Sequence, residues 1–292
     1  MIYSEVDPGD PAVVDQLRAA GLGDQVADLV ALRRPSIRLS THPVDEDVDE
    51  QAATGASRLG GRPDLPASFA WPRFRGAPLA FIAQVDLAEV CPFDLEGTLP
   101  RAGLLSFFYD SAEHGVWGFD PEDRGGWAVT CTPQGTPLFR QEFPDDVPEH
   151  ARFGVRGLTA ATEWTWASGR SRAVQRLLPD DEQWCAYVEL FDEPGATFHR
   201  MLGHPEPVQG EMQLECQLVS NGLYCGNPSG YEGPRAEALR EGAAAWRLLL
   251  QVDSEDDVGM MWGDAGRLYY WIRDEDLAAQ NWDASWLILQ CG

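Results

Sequence analysis

Lysine is absent from this chain, and all 22 of its basic residues are arginine. Schiff-base catalysis, a P-loop lysine, a kinase-type phosphate lysine and a Ser-Lys dyad are thereby excluded. Each needs an ammonium that can shed its proton or act as a compact point charge. Histidine is scarce: His42, His114, His150, His199 and His204. Neither a Gly-x-Ser-x-Gly elbow nor a His-Glu-x-x-His motif occurs, so nucleophilic and zinc-hydrolase chemistry have no sequence anchor. Positive charge is outnumbered, 22 bases against 47 acids, for a formal net charge of −25. Nucleic acid and anionic membrane surfaces are therefore disfavoured as partners, because binding to them rests on Lys and Arg neutralising phosphates. A basic protein or a cation would be attracted instead, and the competing reading is that the charge serves only solubility. No apolar run approaches the ~20 residues of a membrane helix. The first residues, Met1 to Asp7, have neither the basic nor the apolar region of a signal peptide. The expected location is cytoplasmic. The six cysteines are scattered with no C-x-x-C pair, which fits reduced, mostly buried thiols rather than a disulfide framework.

What the chain has in quantity is aromatic surface: 11 Trp, 12 Phe and 7 Tyr among 292 residues, enough to fill a large core. It also uses one pattern twice. Residues 79–86 read LAFIAQVD and residues 247–253 read RLLLQVD. Each is followed by a glycine-led aromatic strand, from Gly103 and from Gly266, and then by a third segment starting at Trp127 and at Trp286. The offsets are 167 residues (Asp86 to Asp253), 163 (Gly103 to Gly266) and 159 (Trp127 to Trp286). Three elements in one order at nearly constant spacing point to an internal duplication. Leu202-Gly203-His204-Pro205 echoes the Leu59-Gly60 opening of the first copy.

The spacing predicts helices within residues 8–34, with Asp10 as cap and a break at Gly21-Leu22-Gly23. A short strand is expected at 36–40 and an acidic loop at 45–50. In the first copy, strands at 78–86, 102–109 and 127–132 are expected, with Asp86 and Glu89 forming a capping box. Residues 133–198 read as Pro- and Asp-rich loops leading to helices near 171–178 and 180–191. In the second copy a helix near 235–245 precedes strands at 246–252, 266–273 and 285–290. Strands this close together predict an α+β fold: two pseudo-equivalent, mainly antiparallel halves with an N-terminal helical segment. The expected division is 1–56 for that segment and 57–292 for the duplicated domain. Within it, repeat one covers about 59–133, a connecting region 134–201, and repeat two 202–292.

Several of these segments carry a resemblance. Leu59-Gly60-Gly61 with Pro63, Leu65 and Pro66, then Phe81 to Asp86, Leu104 to Asp110, Leu248 to Ser254 and Met261 to Gly266 together resemble the YwqG-like family of uncharacterised bacterial proteins. The likeness runs from about residue 57 to the C-terminus. It implies an α+β fold and supplies no catalytic residues. Some relatives are thought to lie beside secreted toxins, which implies an immunity or inhibitor role for part of the family.

The candidate site residues come from the repeats. Gln84/Asp86 and Gln251/Asp253 place an amide and a carboxylate at equivalent strand ends, where they would face a groove holding a cation or a partner's arginine. The competing reading is that each Asp caps a turn and each Gln satisfies backbone. Trp117 with Asp120, and Trp262 with Asp264, put an indole and a carboxylate on glycine-hinged loops, a ring platform with an anchor. The alternative is an indole packed over a turn. Arg124 is expected to pair with Asp120 or to join a recognition loop. No metal site is expected: His199, His204, Cys216 and Cys225 do not have the spacing of a zinc knuckle. The Asp45/Asp47/Asp49 run lacks the glycine and glutamate of an EF-hand. No cofactor is expected. The reading favoured is a non-enzymatic acidic module that binds a basic protein such as a toxin. The alternative is a ligand- or cation-binding protein, or an enzyme, using carboxylates between the repeats.

Overall fold

The computed structural model describes residues 11–44, 54–110, 115–191 and 197–292. The expected Asp10 cap and the 45–50 acidic loop lie outside these residues. Helices α1 (Pro11–Ala19) and α2 (Val26–Ala31) are separated at Gly21, whose φ of +80° ends the first helix. Their buried residues Val13, Leu17 and Leu29 pack with Trp166, Tyr187 and Phe191, so this helical layer has its own small core.

The chain then enters β1 (Arg34–Pro43), which extends well beyond the expected short strand. β2 (Arg58–Gly60), β3 (Asp64–Leu65), β4 (Arg73–Phe74) and β5 (Ala77–Pro78) are short. β6 (Ala80–Asp86), β7 (Leu104–Tyr109) and β8 (Trp127–Thr132) form an antiparallel meander. β9 (Phe139–Arg140) pairs with β3. β10 (Val155–Thr165) and β11 (His199–Met201) follow, then a second meander of β12 (Trp246–Asp253), β13 (Arg267–Arg273) and β14 (Trp286–Gln290).

Ten strands make one antiparallel sheet in the order β14-β13-β12-β11-β1-β10-β2-β6-β7-β8. β1 sits in its middle, between β11 and β10, so the N-terminal segment contributes a central strand as well as two helices. β10 is the longest strand and fell where the sequence reads as loop. Its weak alternation and its Gly157 explain that. A Cβ on Gly157 would stand 2.1 Å from the His42 ring, so the glycine exists for a neighbour on β1 and not for strand propensity.

The sheet curls until its ends nearly close a barrel. Leu289 N on β14 donates to Trp117 O (3.0 Å), in the loop after β7. Trp286 Nε1 donates to Gly118 O (2.8 Å) and Trp127 Nε1 to Ser285 O (3.2 Å). The rings of Trp127 and Trp286 meet edge to face at 4.8 Å. Phe107 meets Tyr270 across the interior at 5.1 Å. The fully buried Trp246, Trp262, Trp271 and Trp286 fill this core, which is where the abundant aromatics go.

The two meanders occupy opposite ends of the sheet and share local geometry. β6 has a register shift between Phe81 and Ala83 in its pairing with β7; β12 has one between Leu248 and Leu250 in its pairing with β13. Two successive residues in the left-handed region stand at the end of the short strand preceding each meander: Gly60, the last residue of β2, and Gly61 (φ 62° and 69°), and Leu202 and Gly203 just after β11 (φ 62° and 66°). Leu202 therefore has the left-handed conformation of Gly60, one place off the match that the sequence suggests.

Candidate functional site

Gln84 and Gln251 are both fully buried and act as backbone clamps. Gln84 Nε2 donates to Ala56 O (2.8 Å), while its Oε1 accepts from Asp64 N (2.8 Å). Gln251 Nε2 donates to Phe198 O (2.7 Å), while its Oε1 accepts from Glu206 N (2.8 Å). Neither amide is presented to solvent. Each stitches a strand to the segment beside it, which is the backbone-satisfying alternative.

The two aspartates part company. Asp86 Oδ1 caps α3 (Leu87–Val90) by accepting from Ala88 N (2.9 Å). Burial, with Glu89 nearby, pushes its carboxyl up despite that hydrogen bond. Glu89 does not close a capping box. It accepts from the Ser57 amide (3.2 Å) and hydroxyl (2.5 Å). Asp253 accepts from Phe198 N (2.9 Å) and pairs with Arg267 (2.9 Å). β6 and β12 have four strands between them in the sheet, so Asp86 and Asp253 are at separate strand ends rather than together in one groove.

A charged network surrounds Asp253. Asp253 N donates to His199 Nδ1 (3.1 Å), which places the imidazole proton on Nε2, facing Glu255 Oε2 at 3.2 Å. The His199 hydrogen bond is the main influence holding the Glu255 carboxyl below the usual range. Arg38, Arg200 and Arg267 lie over the Phe198 ring at 4.6, 5.3 and 5.6 Å, with Glu163 pairing to Arg38 and Arg200. Asp253 is paired with Arg267, Glu163 with Arg38 and Arg200, and Glu255 is hydrogen-bonded to His199, which fits a structural lock.

Trp262 is 2% exposed, with Tyr109 and Phe153 against its ring and Nε1 bonded to Asp253 O (3.1 Å). It offers no platform to a ligand. Asp264 is exposed nearby, and its carbonyl accepts from Gly292 N. Trp117 is half-buried at the barrel seam. Asp120 caps a 3-10 turn through Glu122 N (2.9 Å), and Arg124 does not pair with it. Arg124 donates to Asp283 O (3.3 Å) and lies over the Trp286 ring at 5.5 Å. Asp123, which sequence reasoning did not single out, holds the loop by accepting from Trp117 N (3.1 Å) and Gly118 N (2.8 Å).

This seam loop also carries a surface feature. Cys225 N donates to Phe119 O (2.8 Å), which brings Tyr224 against Phe119, ring to ring at 5.7 Å. Tyr224 is 45% exposed, one of four large hydrophobic residues left in solvent among the described residues. Beneath it, Glu215 on helix α6 (Gln213–Val219, after helices α4, Arg172–Leu177, and α5, Asp181–Phe191) is pushed up to about 7 by burial, despite a hydrogen bond with Tyr231. Burial also lifts the Cys225 thiol to about 12, so this cysteine is not a nucleophile at neutral pH. The folded pKa of Glu215 lies above its unfolded value near 4.5. Its contribution to stability is therefore full below pH 4.5 and is lost as pH rises through about 7. The loss should be on the order of 3 kcal/mol. Urea unfolding at pH 5 and pH 8 checks it: Glu215→Gln should flatten this slope, and an unchanged slope would reject the assignment.

Among the described residues there is no group of three or more His, Cys, Asp or Glu side chains placed to hold a metal ion. No helix among them is long and apolar enough to cross a membrane. The model of a domain of unknown function (DUF1963) matches residues 57–291. The chain belongs to the DUF1963 family. No curated protein matches it. The DUF1963 match begins just before β2, after the central strand β1.

Proposed function

We propose that this DUF1963 protein is a YwqG-like, non-enzymatic binding module of immunity or inhibitor type, and that its partner is a basic protein such as a toxin. The observation that carries this reading is Tyr224: an exposed ring braced by Phe119, beside the seam loop bearing Asp120 and Glu122, on a chain of net charge −25. An exposed aromatic on a rigid support contributes contact area at low entropic cost, and surrounding acids steer a basic partner and set its orientation. The near-equivalent meanders, with paired register shifts and paired left-handed residues, support descent of the scaffold from a duplicated unit. In this reading Gln84 and Gln251 hold the scaffold, while the seam loop with Asp120 and Arg124 forms part of the contact.

The test is affinity capture with the chain as bait at low and high salt. A basic protein retained at low salt, released at high salt and lost with a Tyr224→Ser/Glu122→Gln bait is the expected result. Removing an aromatic anchor should weaken binding by about 2 kcal/mol or more. Retention that ignores both salt and the substitutions would refute the reading.

A further inference from the structure

A two-lobed cleft lies between β1, α4 and α6. Its outer lobe, about 430 Å³, is walled by Arg34, Arg172, Arg176 and Arg240, with Glu211 the one acid in its lining. The inner lobe, about 270 Å³, shares Arg34, Ala173, Glu211 and Gln213 with the outer one and continues to Leu32, Ala167 and His204. Acids outnumber bases 47 to 22 over the chain, and here the ratio is reversed.

Three of these four arginines are also uncommitted. Arg240 pairs with Glu237 and donates to Tyr231 O. Among the described residues, Arg34, Arg172 and Arg176 have neither an ion pair nor a side-chain hydrogen bond. Other arginines are consumed by acids: Arg73 by Asp146, Arg156 by Asp257, Arg247 by Glu96 and Asp274. The inner lobe supplies a less charged wall. His204 Nε2 donates to Leu32 O (2.7 Å), and burial holds its pKa down to about 4, so its ring is uncharged at neutral pH.

We propose that this cleft binds a small organic phosphate, with Arg34, Arg172 and Arg176 on the phosphoryl oxygens and the organic body in the inner lobe. Guanidinium forks match phosphoryl oxygens in bidentate geometry, and a dianion answers several cations better than a single carboxylate does. The cleft has the size of small-molecule sites. A polyanion would meet the acidic surface around it. Arg34, Arg172 and Arg176 are not part of the Tyr224 surface, although the neighbouring Arg240 also reaches Tyr231 beside it, so the two readings rest on different residues.

Isothermal titration of the full chain tests the assignment, with phenyl phosphate, ribose 5-phosphate and adenosine monophosphate as probes and inorganic phosphate and benzoate as controls. At least one organic phosphate should bind saturably and more tightly than either control. The Arg34→Gln/Arg172→Gln/Arg176→Gln variant should lose at least about tenfold in affinity. These side chains are exposed or uncommitted, so the variant should keep its fold, which its unfolding midpoint checks. Arg101→Gln, which lines neither lobe, should bind as the parent does. The proposal is overturned if no probe saturates below about 10 mM. It is also overturned if the triple variant binds as well as the parent, or if inorganic phosphate or benzoate binds as tightly as the organic phosphates.

Discussion

Asp64→Ala is expected to lower stability by roughly 3–5 kcal/mol, the usual cost of removing one partner from a buried ionic cluster. Asp64 is fully buried between Arg140 (2.6 Å) and Arg58 (3.3 Å), and Arg58 is itself only 3% exposed. Its carboxylate also accepts from Gly55 N (2.9 Å) and Gln84 Nε2 (2.8 Å). Alanine would leave a buried guanidinium beside the empty position and would strip Gln84 of one acceptor. Burial alone would push the Asp64 carboxyl up. The hydrogen bonds from Arg140 and Gly55, the charge of Arg58 and the Gln84 amide together outweigh it and hold the group below the usual carboxylate range. A depressed folded pKa contributes stability that is present above the unfolded value near 3.8 and is lost as pH falls through the folded one. The parent should therefore lose an acid-side increment that Asp64→Ala lacks. Urea unfolding at pH 7 and at pH 3 checks both parts. A variant within about 0.5 kcal/mol of the parent at pH 7 would show that the cluster does not hold the β3 segment to the sheet.

Gly118→Ala should cost about 3 kcal/mol and open the barrel seam. Gly118 has φ of +88°, a region that L side chains resist by about 1 kcal/mol or more. A Cβ there would stand 1.8 Å from Leu287 O, a backbone atom of β14 that cannot rotate away. Relief requires β14 to move off the loop. That motion breaks the bond from Leu289 N to Trp117 O and the one from Trp286 Nε1 to Gly118 O. Overpacking of this kind adds roughly 1–3 kcal/mol to the backbone strain. Hydrogen exchange at the Leu289 amide should accelerate far more than at β1, which pairs on both sides in the middle of the sheet. Unchanged protection at Leu289 would mean that the seam is not held at Gly118.

Both positions bear on what was legible beforehand. The strands of the two meanders were readable to within two residues, as at 127–132 and 285–290, because each is a short aromatic or aliphatic run, three of them led by glycine, a signal contained in a few consecutive residues. The Asp86 cap was readable for the same reason. The helices expected near 171–178 and 180–191 form as Arg172–Leu177, which Ser171 caps, and Asp181–Phe191, which has acidic residues in its first turn. β10 was not readable: it lies in the middle of the sheet, and its Thr, Ala and Gly residues are chosen by neighbouring strands. Helix α6 was missed because it lacks a capping side chain.

Among the candidate residues, the sequence marked Gln84 and Gln251 as equivalent, and the structure brings each into the same kind of backbone clamp. Trp117 and Trp262 share a motif, yet one sits at the seam and the other in the core, since burial depends on what packs from outside the motif. Asp64 was passed over because its partners Arg58 and Arg140 reach it from β2 and β9.

The sequence alone thus determined the meanders, the capped turns, the exclusion of lysine chemistry and the acidic surface, since these depend on composition or on neighbours within a few residues. Only the tertiary structure decided that both meanders share one nearly closed sheet, that Trp262 is core, and that Arg34, Arg172 and Arg176 meet at one cleft. Arg34 comes from β1 and the other two from α4, with the central strands of the sheet formed in between. A convergence across that span of chain has no local periodicity to announce it; it exists only once long-range strand pairing has closed the loop.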